Sequence, residues 1–337
     1  MKILFVGNFF PGSLEVSYLN AFKKTNYDIV TFDYQQEYES INPFANNRYA
    51  NRLLSGFYNK LLNEKFLKCV KFTNPDLLFI VKGSFIFPET LKKIKEKENI
   101  VLFNFNPDNP FNKNRGASNN LIRKSMPYYD IYFIWGKFLI PELLKAGAKK
   151  VEYLPFACDT ELHYPVLVNQ EEKRFYTSDV AFIGSWDKER EEFLLNLVDY
   201  NLAIWGNGWE KLNWNSPLRK KWKKKDVIGE EFSKVCNASK IVLNHIRKQN
   251  GDSHNMRTFE VPACGGFVLT KKTTEQLDFF EDGKEITCYE DMDDLKKEIN
   301  FYLENEELRK KIAINGNKKA LTHTYNERVR SLLNNKI

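Results

Sequence analysis

The sequence predicts an α/β protein made of two successive Rossmann-like halves, and three observations carry that prediction. Short apolar runs alternate with helix-length segments from Lys2 to Pro155. The same alternation restarts at Asp179. Between the two series lies a polar stretch, Glu161 to Thr177, interrupted by Pro165. Apolar strands that alternate with helices form a parallel sheet covered on both faces. Ligands of such sheets bind beyond the carboxyl ends of the strands. The expected division is therefore a first half over 1–165, a second over 175–322, and a terminal helix over 323–337.

In the first half, Lys2 to Val6 is a continuous apolar strand that stops at Gly7. Asp28 to Asp33, Asp76 to Val81, Ile100 to Phe105, Asp130 to Trp135 and Val151 to Pro155 follow as strands. Phe87 to Lys97 and Lys137 to Ala146 read as helices between them. In the second half, Asp179 to Gly184, Leu202 to Gly206, Lys240 to Asn244 and Phe267 to Thr270 are strands. Arg190 to Val198, Phe232 to Ser239 and Leu295 to Leu303 are helices. Arg328, Val329, Leu332 and Leu333 give a last helix, Tyr325 to Asn335, one apolar face.

Composition narrows the class. The chain has 337 residues, 42% of them hydrophobic and 15% aromatic, enough to build proper cores. A net charge of +7 fits a partner that carries phosphates without demanding nucleic acid. The five cysteines are scattered and odd in number, with no Cys-x-x-Cys pair, which argues for a reducing compartment and against structural zinc. No apolar run approaches the roughly 20 residues needed to span a bilayer. A cytoplasmic protein follows as the expectation, with peripheral contact to the inner face of the membrane left open. That contact would use Arg219-Lys-Lys-Trp-Lys-Lys-Lys225, six basic residues around one tryptophan. A solvated face of a polar insertion is the alternative.

One block concentrates the chemistry. In Asn255 to Thr270, Arg257 and Glu260 stand three apart, so a helix puts them on one face. Cys264-Gly265-Gly266 ends that helix and lets the backbone come close to a ligand. A carboxylate near such a turn suits a sugar nucleotide, with ribose hydroxyls on the acid and phosphate on backbone N–H groups.

This block resembles the C-terminal half of the group 1 glycosyltransferases, in particular the spore-maturation-type (CgeB-like) branch. The group reads Glu-Ala-Met-Ala-Cys-Gly-x-Pro-Val-Val where this chain has Glu260-Val-Pro-Ala-Cys264-Gly265-Gly266-Phe-Val-Leu269. The group carries two glutamates eight positions apart, and here Asp252 stands eight before Glu260. Phe280-Glu-Asp-Gly283 and His323-Thr-Tyr-Asn-Glu-Arg328 also look like the family. The resemblance covers about Ser178 to Leu333, and in the first half only the order of strands and helices agrees. It implies a GT-B fold, two Rossmann-like domains facing a central cleft, with the last helix returning to the first domain. It implies transfer from a nucleotide-sugar, UDP- or GDP-linked, to a glycan, lipid-linked or protein acceptor, with retention of configuration and no metal or separate cofactor.

Candidate residues then follow. At Gly184-Ser-Trp-Asp-Lys-Glu-Arg190, Arg190 falls on the family's lysine position for the diphosphate, and Ser185 replaces its arginine. Arg247 or Arg257 is the expected second cation. The alternative is that Asp187 caps a helix and Arg190 is a solvated first-turn residue. Asn255, Thr258, Gly265 and Gly266 complete the expected donor side, with Glu260 on the ribose. Asp252 and His245, in the polar run after Lys240–Asn244, are candidates for the sugar and its reaction, and His245 and His254 for phosphate. An exposed basic loop is the alternative there. Asp108, fixed between Pro107 and Pro110, is the first half's candidate near the reaction centre. Simple turn chemistry would use the same residues. Gly7-Asn8-Phe-Phe-Pro-Gly12 is the expected acceptor loop; it is not Gly-x-Gly-x-x-Gly and has no P-loop lysine. Asp291-Met-Asp293 has metal-site spacing but precedes a helix, and reads as a cap. A non-catalytic sugar-nucleotide or glycan binder on the same fold is the second reading. Nucleic-acid binding lacks any recognition motif.

Overall fold

The computed structural model describes residues 1–97, 100–112 and 118–334. Position 335 of the expected last helix lies outside the described residues. The chain separates into two compact units, 1–155 with 329–337, and 156–328.

The first unit is a six-stranded parallel sheet of β1 (Lys2–Gly7), β2 (Asp28–Asp33), β3 (Leu77–Val81), β4 (Val101–Asn106), β5 (Ile131–Ile134) and β6 (Val151–Tyr153). Its order is β2-β1-β3-β4-β5-β6. Ile3 to Val6 and Leu77 to Val81 are all 0% exposed, because helices cover both faces of these central strands. Phe5, Phe22 and Phe79 lock strand to helix, with ring centroids 5.1 to 5.6 Å apart. The strand order reverses between β1 and β3, so their carboxyl ends open a crevice at Gly7 and Lys82.

The second unit holds β7 (Ser178–Ile183), β8 (Leu202–Trp205), β9 (Ser239–Asn244), β10 (Val268–Lys271) and β11 (Thr287–Tyr289). They run parallel in the order β11-β10-β9-β7-β8. Val180, Phe182, Ile204, Ile241, Leu243 and Leu269 are the middle of its core, closed by Leu295 and Ile299 of the helix Met292–Glu304. Here the order reverses between β7 and β9. Among the described residues no helix is long and apolar enough to cross a membrane.

The ten expected strands fall where the apolar runs put them, within one or two residues at each end, and β11 was not expected. The polar stretch expected to link the halves is more ordered than that. It carries the helix Gln170–Tyr176, closed by a capping box between Asn169 and Glu172, and the change of unit falls earlier, after Pro155. The last helix, Tyr325–Asn334, is divided, with Arg328 in the second unit and Val329 onward in the first. The helix Arg48–Thr73 was not visible as a periodic pattern. Its buried residues all lie at or beyond Leu62, and the inward side of its first half is only partly covered, so no buried apolar row announces it.

One glycine holds the second sheet's switch point together. Gly206, just past β8, has φ +129°, and a Cβ there would lie 2.4 Å from the Gly184 carbonyl oxygen. Gly206→Ala should therefore destabilise the second unit by about 2–4 kcal/mol. Gly56, whose Cβ would meet nothing within 4 Å in the helix Arg48–Thr73, should tolerate alanine with a gain of about 0.5–1 kcal/mol. Thermal or urea melts of the two variants check this; equal stabilities would contradict it.

Candidate functional site

At the carboxyl ends of β7 and β9, three arginines converge. Arg190 lies in the first turn of the helix Lys188–Leu195, Arg247 in the loop after β9, and Arg257 at the start of the helix Arg257–Ala263. Arg257 Nε donates to the Ile183 carbonyl at the tip of β7, at 3.2 Å. Its guanidinium lies 4.6 Å from the Phe232 ring centroid. Arg190 Nη1 donates to the Ser185 carbonyl at 2.7 Å. Burial first, and then the charges of Arg247 and Arg257, bring the Arg190 guanidinium down to about 10. A site that lowers an arginine this way is short of negative charge.

The anion already present is loosely held. Asp187 caps the helix by accepting from Arg190 N at 2.9 Å through Oδ1. Its other oxygen, Oδ2, sits 3.6 Å from Arg190 Nε and 3.5 Å from Arg247 Nη1, too far for hydrogen bonds. Asp187 Oδ2 and Arg190 Nε are both buried without a hydrogen-bond partner among the described residues. An unsatisfied buried N–H on a cation is costly, and a phosphate oxygen would satisfy it. Of the alternative reading of this segment the cap holds, since Asp187 caps the helix, but Arg190 is half-buried in a cationic cluster rather than solvated.

Glu260 is placed differently from the expectation. The residue is 2% exposed, with Oε2 paired to Arg257 Nη1 and Oε1 facing His163 Nε2 at 3.8 Å. A ribose acceptor needs an open carboxylate oxygen, and here neither is open. Glu260 instead anchors the Arg257 guanidinium from below. His163, absent from the sequence reading, accepts from Asp159 N through Nδ1 and packs edge-on against Phe232 at 5.5 Å. Burial lowers its basicity, so the neutral ring presents Nε2–H to Glu260.

Gly265 and Gly266 are placed differently from the arginines. They lie where the helix Arg257–Ala263 ends, at the amino end of β10, whereas the arginines stand at strand carboxyl ends. Their N–H groups are used by Pro262 O and Val261 O, a closure that needs Gly265 at φ +77°. A Cβ on Gly266 would come 3.0 Å from Cys236 Cβ, so this glycine permits helix packing. Thr258 and Asn255 are also structural. Thr258 is 1% exposed and its hydroxyl donates to Gln276 Oε1 at 2.9 Å, while Asn255 Nδ2 donates to Asn244 Oδ1 at 2.8 Å. The network needs both partners to satisfy buried polar atoms.

Of the remaining candidates, Asp252 is exposed and accepts from Thr274 N at 2.8 Å, securing the turn after β10. His245 lies close to the arginines: Nε2 is 3.2 Å from Glu189 Oε1, and the ring stacks on Phe193 at 4.3 Å. Burial lowers its basicity against the pull of Glu189. His254 is 0% exposed and its Nε2 accepts from Phe156 N. Its Nδ1 and Ser253 Oγ both meet Glu275 Oε2, at 3.0 and 2.7 Å. This buried Ser–His–Glu group has the members of a nucleophilic triad but no access for substrate, and it cannot bind phosphate as expected of His254. Gly184 and exposed Ser185 form the lip beside Arg190. Asp291 accepts from Asp294 N at 2.9 Å as a helix cap. The basic run is largely committed: Arg219 donates to three carbonyls, Lys221 to Tyr200 O, and Lys225 pairs with Glu231.

The first unit has its own polar centre at its switch point. Lys82, just past β3, sits at φ +61° and its Nζ meets Asp108 Oδ2 at 2.5 Å. Asp108 is held by Asn106, whose Oδ1 accepts from Asp108 N at 3.0 Å. The prolines are thus not alone in fixing it. Glu15, in the first turn of the helix Leu14–Lys23, is the acid that sequence reasoning missed. Burial pushes its carboxyl up to about 7 against the help of the Asn8 N–H and Lys82. Gly7 is buried because a Cβ would lie 2.7 Å from Glu15 Cγ; it makes room for the acid rather than for a ligand. Asn8 contributes its N–H to Glu15, and Gly12 is an exposed turn residue at φ +77°. Only the glutamate in the helix's first turn could have signalled this.

Residues 188–334 match the family described as glycosyl transferase-like. No curated protein matches the chain in sequence. Anabaena HepE, solved in complex with UDP and glucose, superposes with a TM-score of 0.68 at 12% identity, over 99% of this chain and 100% of that one. Sucrose-phosphate synthase from Thermosynechococcus elongatus gives 0.66 at 11% identity, over 99% and 98%. The lipopolysaccharide outer core galactosyltransferase WaaB gives 0.63 at 13% identity, over 100% of both chains. At these identities structural likeness speaks for the fold, which is GT-B. The family match speaks for that segment: residues 188–334 form a glycosyl transferase-like domain, and it contains the three arginines.

The Glu15 carboxyl makes a pH-dependent prediction. Its folded-state value, about 7, lies above its ordinary 4.5, so folding takes up a proton between these limits. The stability it confers is complete below about pH 4.5 and is lost as pH rises through about 7. Glu15→Gln should remove that loss, stabilising the protein by on the order of 1–3 kcal/mol at pH 8 and little at pH 4.5. Melting curves of both proteins across that range check it; parallel curves would contradict it.

Proposed function

We propose that the chain transfers a sugar from a nucleotide-sugar donor, a UDP- or GDP-sugar, to a glycan, lipid-linked or protein acceptor. The observation that carries this reading is the buried, unpartnered Arg190 Nε beside Arg247 and Arg257, at the switch point of the glycosyl transferase-like unit. Two phosphates are the natural ligand for three guanidinium groups. Crystals of Anabaena HepE with UDP and glucose and with UDP-glucose support a uridine nucleotide on this fold. The tail residues that resemble the spore-maturation-type branch fit the same assignment.

In this mechanism the bond from the anomeric carbon to the diphosphate breaks with its electron pair going to the diphosphate oxygen, the acceptor hydroxyl oxygen bonds to that carbon, and the hydroxyl proton passes to the leaving diphosphate. Negative charge builds on the leaving diphosphate. Preformed guanidinium groups in a partly desolvated site stabilise that charge without reorganisation and in place of a metal. Glu260 and His163 act through Arg257 by fixing its orientation. His245, held by Glu189 and Phe193, borders the sugar end of the donor. Acceptor recognition falls to the first unit, where Asp108 and Lys82 form the polar centre. Retention of configuration remains the reading that the family resemblance supports.

Arg247→Ala tests the donor site with little risk to the fold, since its side chain is 34% exposed. Loss of one charge-assisted contact should weaken UDP-glucose or GDP-sugar binding about tenfold to a hundredfold. Donor hydrolysis should fall with it while the melting temperature holds. Thermal shift against a panel of nucleotide sugars, run on wild type and variant, reads both. Undiminished donor affinity in Arg247→Ala would overturn the assignment.

A further inference from the structure

The helix Arg48–Thr73 of the first unit presents an apolar stripe to solvent. Tyr49, Leu53 and Phe57 recur every fourth residue, so they stand in one row. They are 86%, 85% and 59% exposed, and Phe44 in the loop before the helix is 43% exposed. The opposite side of the helix is fastened. Asn51 accepts from Tyr38 Oη at 2.6 Å and Asn42 Nδ2 at 3.0 Å, and donates to Ala45 O at 3.1 Å. The stripe therefore points away from its own unit, and no residue before Leu62 in this helix is buried.

Charge singles out the partner. No aspartate or glutamate occurs from Ser40 to Asn63, while Arg48, Arg52 and Lys60 are all exposed on or beside the stripe. A second copy laid face to face would oppose Arg52 and Lys60 with their own kind. A layer that offers anions at its surface and hydrocarbon just beneath meets both features together.

We propose that this face docks the protein on an anionic phospholipid bilayer, with the helix lying in the plane of the interface. Tyr49, Leu53 and Phe57 enter the boundary between headgroups and acyl chains. Arg48, Arg52 and Lys60 extend to the lipid phosphates, their stems lying along the apolar row. The contact is independent of the reaction assigned above. It differs in place from the Arg219–Lys225 run, whose cations are largely engaged by carbonyls and Glu231.

Vesicle co-sedimentation tests it. Wild-type protein should pellet with phosphatidylcholine vesicles that contain phosphatidylglycerol, much less with phosphatidylcholine alone, and less as salt rises. A Leu53→Glu, Phe57→Glu double variant should lose about tenfold or more of that binding. Both positions are more than half exposed, so its melting curve and nucleotide-sugar binding should match wild type. Arg52→Glu with Lys60→Glu should abolish the preference for phosphatidylglycerol. Binding that is absent, equal on neutral vesicles, or unchanged in the double variant would overturn the proposal. So would a concentration-dependent dimer that the same double variant abolishes.

Discussion

Three like charges held at the ends of two neighbouring strands are the constraint around which the second unit is arranged. Two unit charges about 7 Å apart at an effective dielectric of about 20 repel by roughly 2 kcal/mol. Keeping Arg190, Arg247 and Arg257 together thus requires compensation from nearby. Asp187 faces two of them and Glu260 anchors the third. The compensation is uneven. Glu260 is buried and closely paired, whereas Asp187 Oδ2 stands beyond hydrogen-bond distance from both guanidinium groups. The cluster is therefore rigid at Arg257 and open to exchange at Arg190 and Arg247, which is what a site for an incoming anion needs.

The surrounding fold serves this arrangement. The reversal of strand order between β7 and β9 creates the crevice, and Gly206 lets the end of β8 close against Gly184. The helix Arg257–Ala263 delivers Arg257 at its first residue and Glu260 one turn later, so the pair lies on one face. The buried network through Asn244, Asn255, Thr258 and Gln276 ties that helix to β9 and to the segment after β10. The first unit repeats the plan with the charges reversed in emphasis, since its switch point holds a buried acid beside an ion pair.

Much of this was legible in the sequence, and the parts that were not have physical reasons. Continuous apolar strands such as Leu77–Val81 announce a parallel sheet because both faces are covered. Arg190 could be nominated because it falls on the lysine position of the resembled family, and Arg247 or Arg257 as the second cation that Ser185 does not supply. The glycines misled. Gly265 and Gly266 look like a ligand loop, but a helix C-cap and a close helix contact require the same residues. Glu260 was found, yet its burial could not be, because His163 lies ninety-seven positions away in the chain. Lys82 carries no local signal and Glu15 only its place in a helix's first turn: their character comes from the strand order, which places the ends of β1 and β3 side by side.

The central claim is that the arginine cluster is a diphosphate site, and titration calorimetry with UDP, UMP and uridine tests it most directly. If the cluster reads the diphosphate, affinity should climb from uridine to UMP to UDP. Each added phosphate should tighten binding by about tenfold or more, and the gain should shrink as salt rises. Equal affinity for the three ligands, or a gain from phosphate that salt does not diminish, would contradict the account.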